Sequence, residues 1–131
     1  MTVPELPPDV VAFVRETVLT VDEVEVMTAI RDTPERWWDP QAMYAALGIP
    51  APTARSILDR LATLNLLDIR ITDEVRYRYH PGTRELAETI AHLVTSYRSN
   101  RAALAAILAR PGGRGVRDFA DAFRLRNDDG R

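Results

Sequence analysis

The 131-residue chain contains no cysteine. That excludes a disulfide framework, a thiolate nucleophile and any cysteine-based metal site, and it fits a reducing compartment. Lysine is absent too, so all 17 strongly basic side chains are arginines. No apolar run approaches the roughly 20 residues that span a membrane. The opening stretch MTVPELPPDV lacks a basic segment followed by an apolar one, so no secretory signal is expected. There is no phosphate-binding glycine loop and no nucleophile motif, and Gly112, Gly113 and Gly115 read as a helix breaker. His80 and His92 show no ligand spacing and read as surface or packing histidines. These absences predict a soluble, cytoplasmic protein with no catalytic residue, no cofactor and no metal site.

What is present is unevenly charged. The formal net charge is −2, which argues against indiscriminate binding of polyanions. Residues 1–41 carry a net of −6, whereas residues 42–84 and 85–131 each carry +2. The middle and the end of the chain are therefore the parts suited to face an anion.

Four segments can be delimited. Residues 1–19 form an extended proline-rich lead and an amphipathic helix over about 8–19, with Val10, Val11, Phe13, Val14 and Val18 at helical spacing. Residues 20–82 form a domain that begins at Thr20-Val21-Asp22-Glu23, a capping box flanked by the staple pair Leu19 and Val24. Val24, Met27 and Ile30 give this helix its stripe, and Pro34 lies near its end. Asp39-Pro40 starts the next helix, Met43, Ala46 and Leu47 face inward, and Gly48 suits a left-handed cap. Ile49 plugs the turn. A second helix spans Pro52–Leu66, with Ala54, Ile57, Leu58, Leu61 and Leu64 inward and Asn65 at a left-handed cap. Trp37 and Trp38 read as core anchors.

The following hairpin has a derivable register. Leu67, Ile69 and Ile71 alternate with Asp68, Arg70 and Thr72, and Val75, Tyr77 and Tyr79 alternate with Arg76, Arg78 and His80. Turning both apolar sets to one core pairs Ile71 with Val75, Ile69 with Tyr77 and Leu67 with Tyr79. A three-residue loop, Thr72-Asp73-Glu74, closes it. Asp68 then faces Arg78, and Arg70 faces Arg76, a like-charge pair that destabilises an unliganded hairpin. A phosphate between those arginines would relieve it; the alternative is that both extend into water.

Residues 83–110 read as one long helix of about 40 Å. Leu86, Ile90, Leu93, Tyr97, Asn100, Leu104 and Ile107 follow a heptad seam with one polar position. The seam predicts a homodimer, with Asn100 setting register; the alternative packs it against Val10–Val18 of the same chain. Residues 111–131 hold a short amphipathic helix with Val116, Phe119 and Phe123 on one side, suited to a partner chain or another protein.

From Thr20 to about Tyr97 the sequence resembles the bacterial winged helix-turn-helix regulators of the broad MarR and ArsR type. The segments TVDEVEVMTAI, DPQAMYAALGI, APTARSILDRLATLNLL and VRYRYHP carry that likeness, and the tail DFADAFRLRND is similar to that of uncharacterised proteobacterial winged-helix proteins. The resemblance implies an α+β fold, mainly helical with one small hairpin, and a homodimeric transcriptional regulator reading double-stranded DNA with the helix Pro52–Leu66. On that helix Thr53, Arg55, Ser56 and Arg60 are the candidate DNA contacts, and on the hairpin Arg70, Arg76 and Arg78. Asp59 sits awkwardly mid-face, and the tip Asp73-Glu74 carries the wrong sign for a minor groove. Those acids support the competing expectation of a winged-helix protein–protein interaction module, an adaptor or a regulator of another factor, without DNA binding. No residue set identifies a small-molecule effector.

Overall fold

The structure, a computed structural model, describes residues 6–109. It is mainly helical with one two-stranded antiparallel sheet, in the order α1 (Pro8–Thr17), α2 (Val21–Asp32), α3 (Pro40–Leu47), α4 (Ala51–Thr63), β1 (Leu67–Ile71), β2 (Val75–Tyr79), α5 (Arg84–Ser99) and α6 (Arg101–Ile107). One core draws on all six helices and β2, from Val10 and Val14 through Met27, Met43, Leu58 and Tyr77 to Leu93 and Leu104.

Local signals set the helix ends. The Thr20 N–H donates to Glu23 Oε1 at 2.9 Å and the Glu23 N–H donates to Thr20 Oγ1 at 3.2 Å, closing the capping box. The Ala42 N–H donates to the Asp39 carboxylate at 2.8 Å. Gly48 and Asn65 both take left-handed conformations, φ 76° and 69°. α4 is shorter than Pro52–Leu66: it starts at Ala51 and ends at Thr63, because the chain turns at Leu64-Asn65 to enter β1. α1 ends on an unusual cap, Val18 at φ 55°, a conformation that a β-branched residue adopts only under constraint.

The hairpin has the expected register: Leu67↔Tyr79, Asp68↔Arg78, Ile69↔Tyr77, Arg70↔Arg76 and Ile71↔Val75. Its burial differs from expectation. Tyr77 is buried, yet Ile69 is 48% and Ile71 74% exposed. β2 is backed by the helical body, whereas β1 packs on it only at its start, through Leu67, and overhangs it from Ile69 to Ile71. The other side of β2 is also paired: Trp38 and Tyr77 exchange backbone hydrogen bonds at 2.6 and 2.8 Å, so the link between α2 and α3 acts as a short third strand. In α3, Met43 is buried, but Ala46 and Leu47 face outward with Tyr44.

The predicted long helix is broken. α5 ends at Ser99 and α6 starts at Arg101, with Asn100 between them at φ −144°, ψ 52°. Asn100 therefore marks the bend rather than a polar layer in a continuous seam. Ile90, Leu93, Tyr97 and Leu104 are buried inside this chain, and Leu86 and Ile107 pack at the edge of the same core. α5 and α6 lie against α1, so the alternative placement of the seam is the one adopted. At the end of α6 the Ala109 N–H donates to the Leu19 carbonyl at 2.7 Å. Among the described residues no helix is long and apolar enough to cross a membrane.

Candidate nucleic-acid interface

The apolar residues of α4 point into the core, which leaves Thr53, Arg55, Ser56 and Asp59 exposed on its other face. The starts of α3 and α4 and the hairpin tip enclose an open cleft of about 610 Å³, lined in part by Asp39, Gln41, Arg55, Asp73, Glu74 and Tyr77. One guanidinium thus shares the cleft with three carboxylates.

Arg60 is not part of this face. Its Nη1 donates to Glu23 Oε2 at 2.6 Å and its Nη2 donates to the Thr17 carbonyl. The Glu23 side chain is 1% exposed and that of Arg60 25%. Helical periodicity brought Arg60 to the edge of the outward face, but a buried acid on α2 and the open carbonyl end of α1 draw it inward. It is a structural tie among α1, α2 and α4, not an available DNA contact.

Asp59, the misfit of the helix, has a structural partner. The Tyr77 hydroxyl donates to its Oδ1, linking α4 to β2. Burial of the phenol, followed by that bond and the carboxylate's charge, pushes the Tyr77 pKa up to about 12.

The three hairpin arginines lie on its outer side. The guanidinium carbons of Arg70 and Arg78 each sit 4.5 Å from the Trp37 ring centroid. Arg78 also lies 3.5 Å from Asp68. Arg76, opposite Arg70, has a buried Nε with no hydrogen-bond partner. Trp38 is the buried core anchor, with its indole N–H donating to Thr33 Oγ1 at 3.1 Å. Trp37 is instead the half-buried platform for two arginines, a correction to its expected place in the core. The alternation of β2 held the signal: with Trp38 paired to Tyr77, its neighbour must face the arginine side.

Of the predicted contacts, Thr53, Arg55 and Ser56 form one exposed patch on α4, and on the hairpin Arg70 and Arg78 meet over Trp37 while Arg76 stands opposite Arg70. The tail residues Val116, Phe119 and Phe123 lie outside the described residues. His92 Nδ1 sits 2.7 Å from Asp9 Oδ2, joining α5 to α1, and His80 Nδ1 lies 3.8 Å from Asp68. Among the described residues no group of three His, Asp or Glu side chains could hold a metal ion. Comparison of the chain with family models, with curated proteins and with solved structures finds no match.

Proposed function

We propose that the chain is a homodimeric, DNA-binding transcriptional regulator of winged helix-turn-helix form. The observation that carries this reading is the outward face of α4. Thr53, Arg55 and Ser56 stand exposed in its first two turns, at the end of a helix pair hinged on Gly48 and the buried Ile49. A helix so placed presents its early residues to base edges in a major groove. The order helix, short strand at Trp38, helix, helix, hairpin supports the winged form. Arg70 and Arg78, held over Trp37, and Arg76 opposite Arg70 suit phosphate contacts that position without reading sequence.

The test is recovery of bound genomic fragments, followed by salt-titrated binding to them. Arg55→Ala should weaken binding about tenfold or more and relax discrimination at the bases it faces. Absence of DNA retention even at low salt would overturn the reading. A second reading, a winged-helix module that binds another protein, is favoured by Asp39, Asp73 and Glu74 sharing the cleft with Arg55. A stoichiometric protein partner together with no DNA retention would establish it instead.

A further inference from the structure

β1 is an edge strand: among the described residues no strand pairs with its outer side. The direction of its backbone groups follows from its neighbours. Tyr77 exchanges its backbone bonds with Trp38, so the opposed pair Ile69–Tyr77 is of the non-hydrogen-bonded kind. The alternation then makes Asp68–Arg78 and Arg70–Arg76 hydrogen-bonded pairs. The outlying bonds, Thr72 N–H to Glu74 carbonyl at 3.2 Å and His80 N–H to Leu66 carbonyl at 2.8 Å, are in phase with it. The N–H and C=O groups of Leu67, Ile69 and Ile71 therefore point outward from the free edge.

Proteins usually block such an edge with proline, a bulge or an inward-pointing charge. β1 has none of these. Its register is unbroken, its sequence LDIRI lacks proline and glycine, and its apolar side exposes Ile69 and Ile71.

The geometry points to a second copy of this chain as the occupant, with β1 pairing antiparallel to β1 about a two-fold axis at Ile69. In that register Ile69 meets Ile69, Leu67 meets Ile71, and Asp68 meets Arg70 of the second copy. All three outward residues fall at hydrogen-bonded positions. The strand reads apolar, acid, apolar, base, apolar, and this centre sets each acid opposite a base. A shift of two residues either way sets Asp68 against Asp68 or Arg70 against Arg70. The pairing gives Arg70, which faces Arg76 within its own hairpin, a carboxylate on its other side. It also brings the exposed isoleucines of both copies onto one face. The inference rests on the strand edge alone and holds whether or not α4 reads DNA.

Sedimentation velocity on the full chain, from micromolar to millimolar concentration, supplies the test. The parent should form a dimer. Ile69→Pro removes an outward N–H without touching the ladder to β2, and it should abolish the dimer. Arg70→Asp and Asp68→Arg each set like charges opposite one another in both halves of the interface, and each should weaken self-association roughly tenfold. Mixing these two variants restores both opposite-charge pairs and should yield a heterodimer. Circular dichroism melts check that each variant folds, and the charge pair decides the matter if Ile69→Pro does not. A parent that stays monomeric throughout overturns the inference. So do charge variants that dimerise as well as the parent, or an equimolar mixture that associates no better than its components.

Discussion

Arg60→Met keeps an unbranched stem against α4 while deleting the guanidinium. It removes the donor to Glu23 Oε2 and the donor to the Thr17 carbonyl in one step. Leaving one member of a fully buried ion pair behind costs about 3–5 kcal/mol. The Glu23 side chain is 1% exposed, but that of Arg60 is 25% exposed, so water already screens part of the pair. Loss of a donor to the end of α1 adds about 1 kcal/mol. A destabilisation of about 3 kcal/mol is expected, which lowers the melting temperature by roughly 10 °C for a chain of this size. Urea unfolding followed by circular dichroism reads it directly, with an unchanged m-value as the check on two-state behaviour. Glu23→Gln should be similarly costly, and the double variant should cost clearly less than the sum of the two, about 1–2 kcal/mol of coupling. A cost below about 0.5 kcal/mol for Arg60→Met, with additive single variants, would refute the structural role and return Arg60 to the list of free contacts.

Val18→Gly should stabilise the protein by about 1 kcal/mol, read as a higher urea midpoint, because a β-branched residue at φ 55° carries left-handed strain that glycine lacks. Burial raises the pKa values of Tyr77, Tyr79 and Tyr97, that of Tyr77 to about 12. Their contribution to stability is complete below the ordinary tyrosine value near 10. It is lost as pH rises through the folded values, so unfolding should set in above about pH 10. Asp59→Asn should lower the Tyr77 value, seen as earlier phenolate absorbance, since it removes the negative charge beside the hydroxyl.

Features resting on neighbours in sequence were legible. The capping box at Thr20, the Asp39 cap, the left-handed Gly48 and Asn65 and every pair of the hairpin register follow from local rules. Features resting on distant partners were not. Arg60 and Glu23 lie on different helices, and nothing in the periodicity of α4 shows that an acid waits beneath its arginine. Asp59 looks like a misplaced charge until Tyr77 comes beside it. Trp38 gives no strand signal of its own, because a single paired residue carries no alternation. The exposure of Ile69 and Ile71 depends on how far the helical body reaches under the sheet, which alternation does not encode. The spacing of Leu86, Ile90, Leu93, Tyr97, Leu104 and Ile107 marks an apolar stripe, but such a stripe does not say whether the same chain or another covers it, nor that the helix breaks at Asn100.

The contact between Ala109 and Leu19 bears on how the chain is made. Among the described residues, Val10 and Val14 of α1 leave the ribosome well ahead of the helices that cover them, α5 and α6. At about 5–20 residues per second, roughly 5–20 s separate the synthesis of α1 from that of its cover. During that interval α2, α3, α4 and the hairpin are made, while the inner face of α1 still lacks the cover of α5 and α6. Among the described residues, the inner face of α1 thus closes only once α5 and α6 have been made.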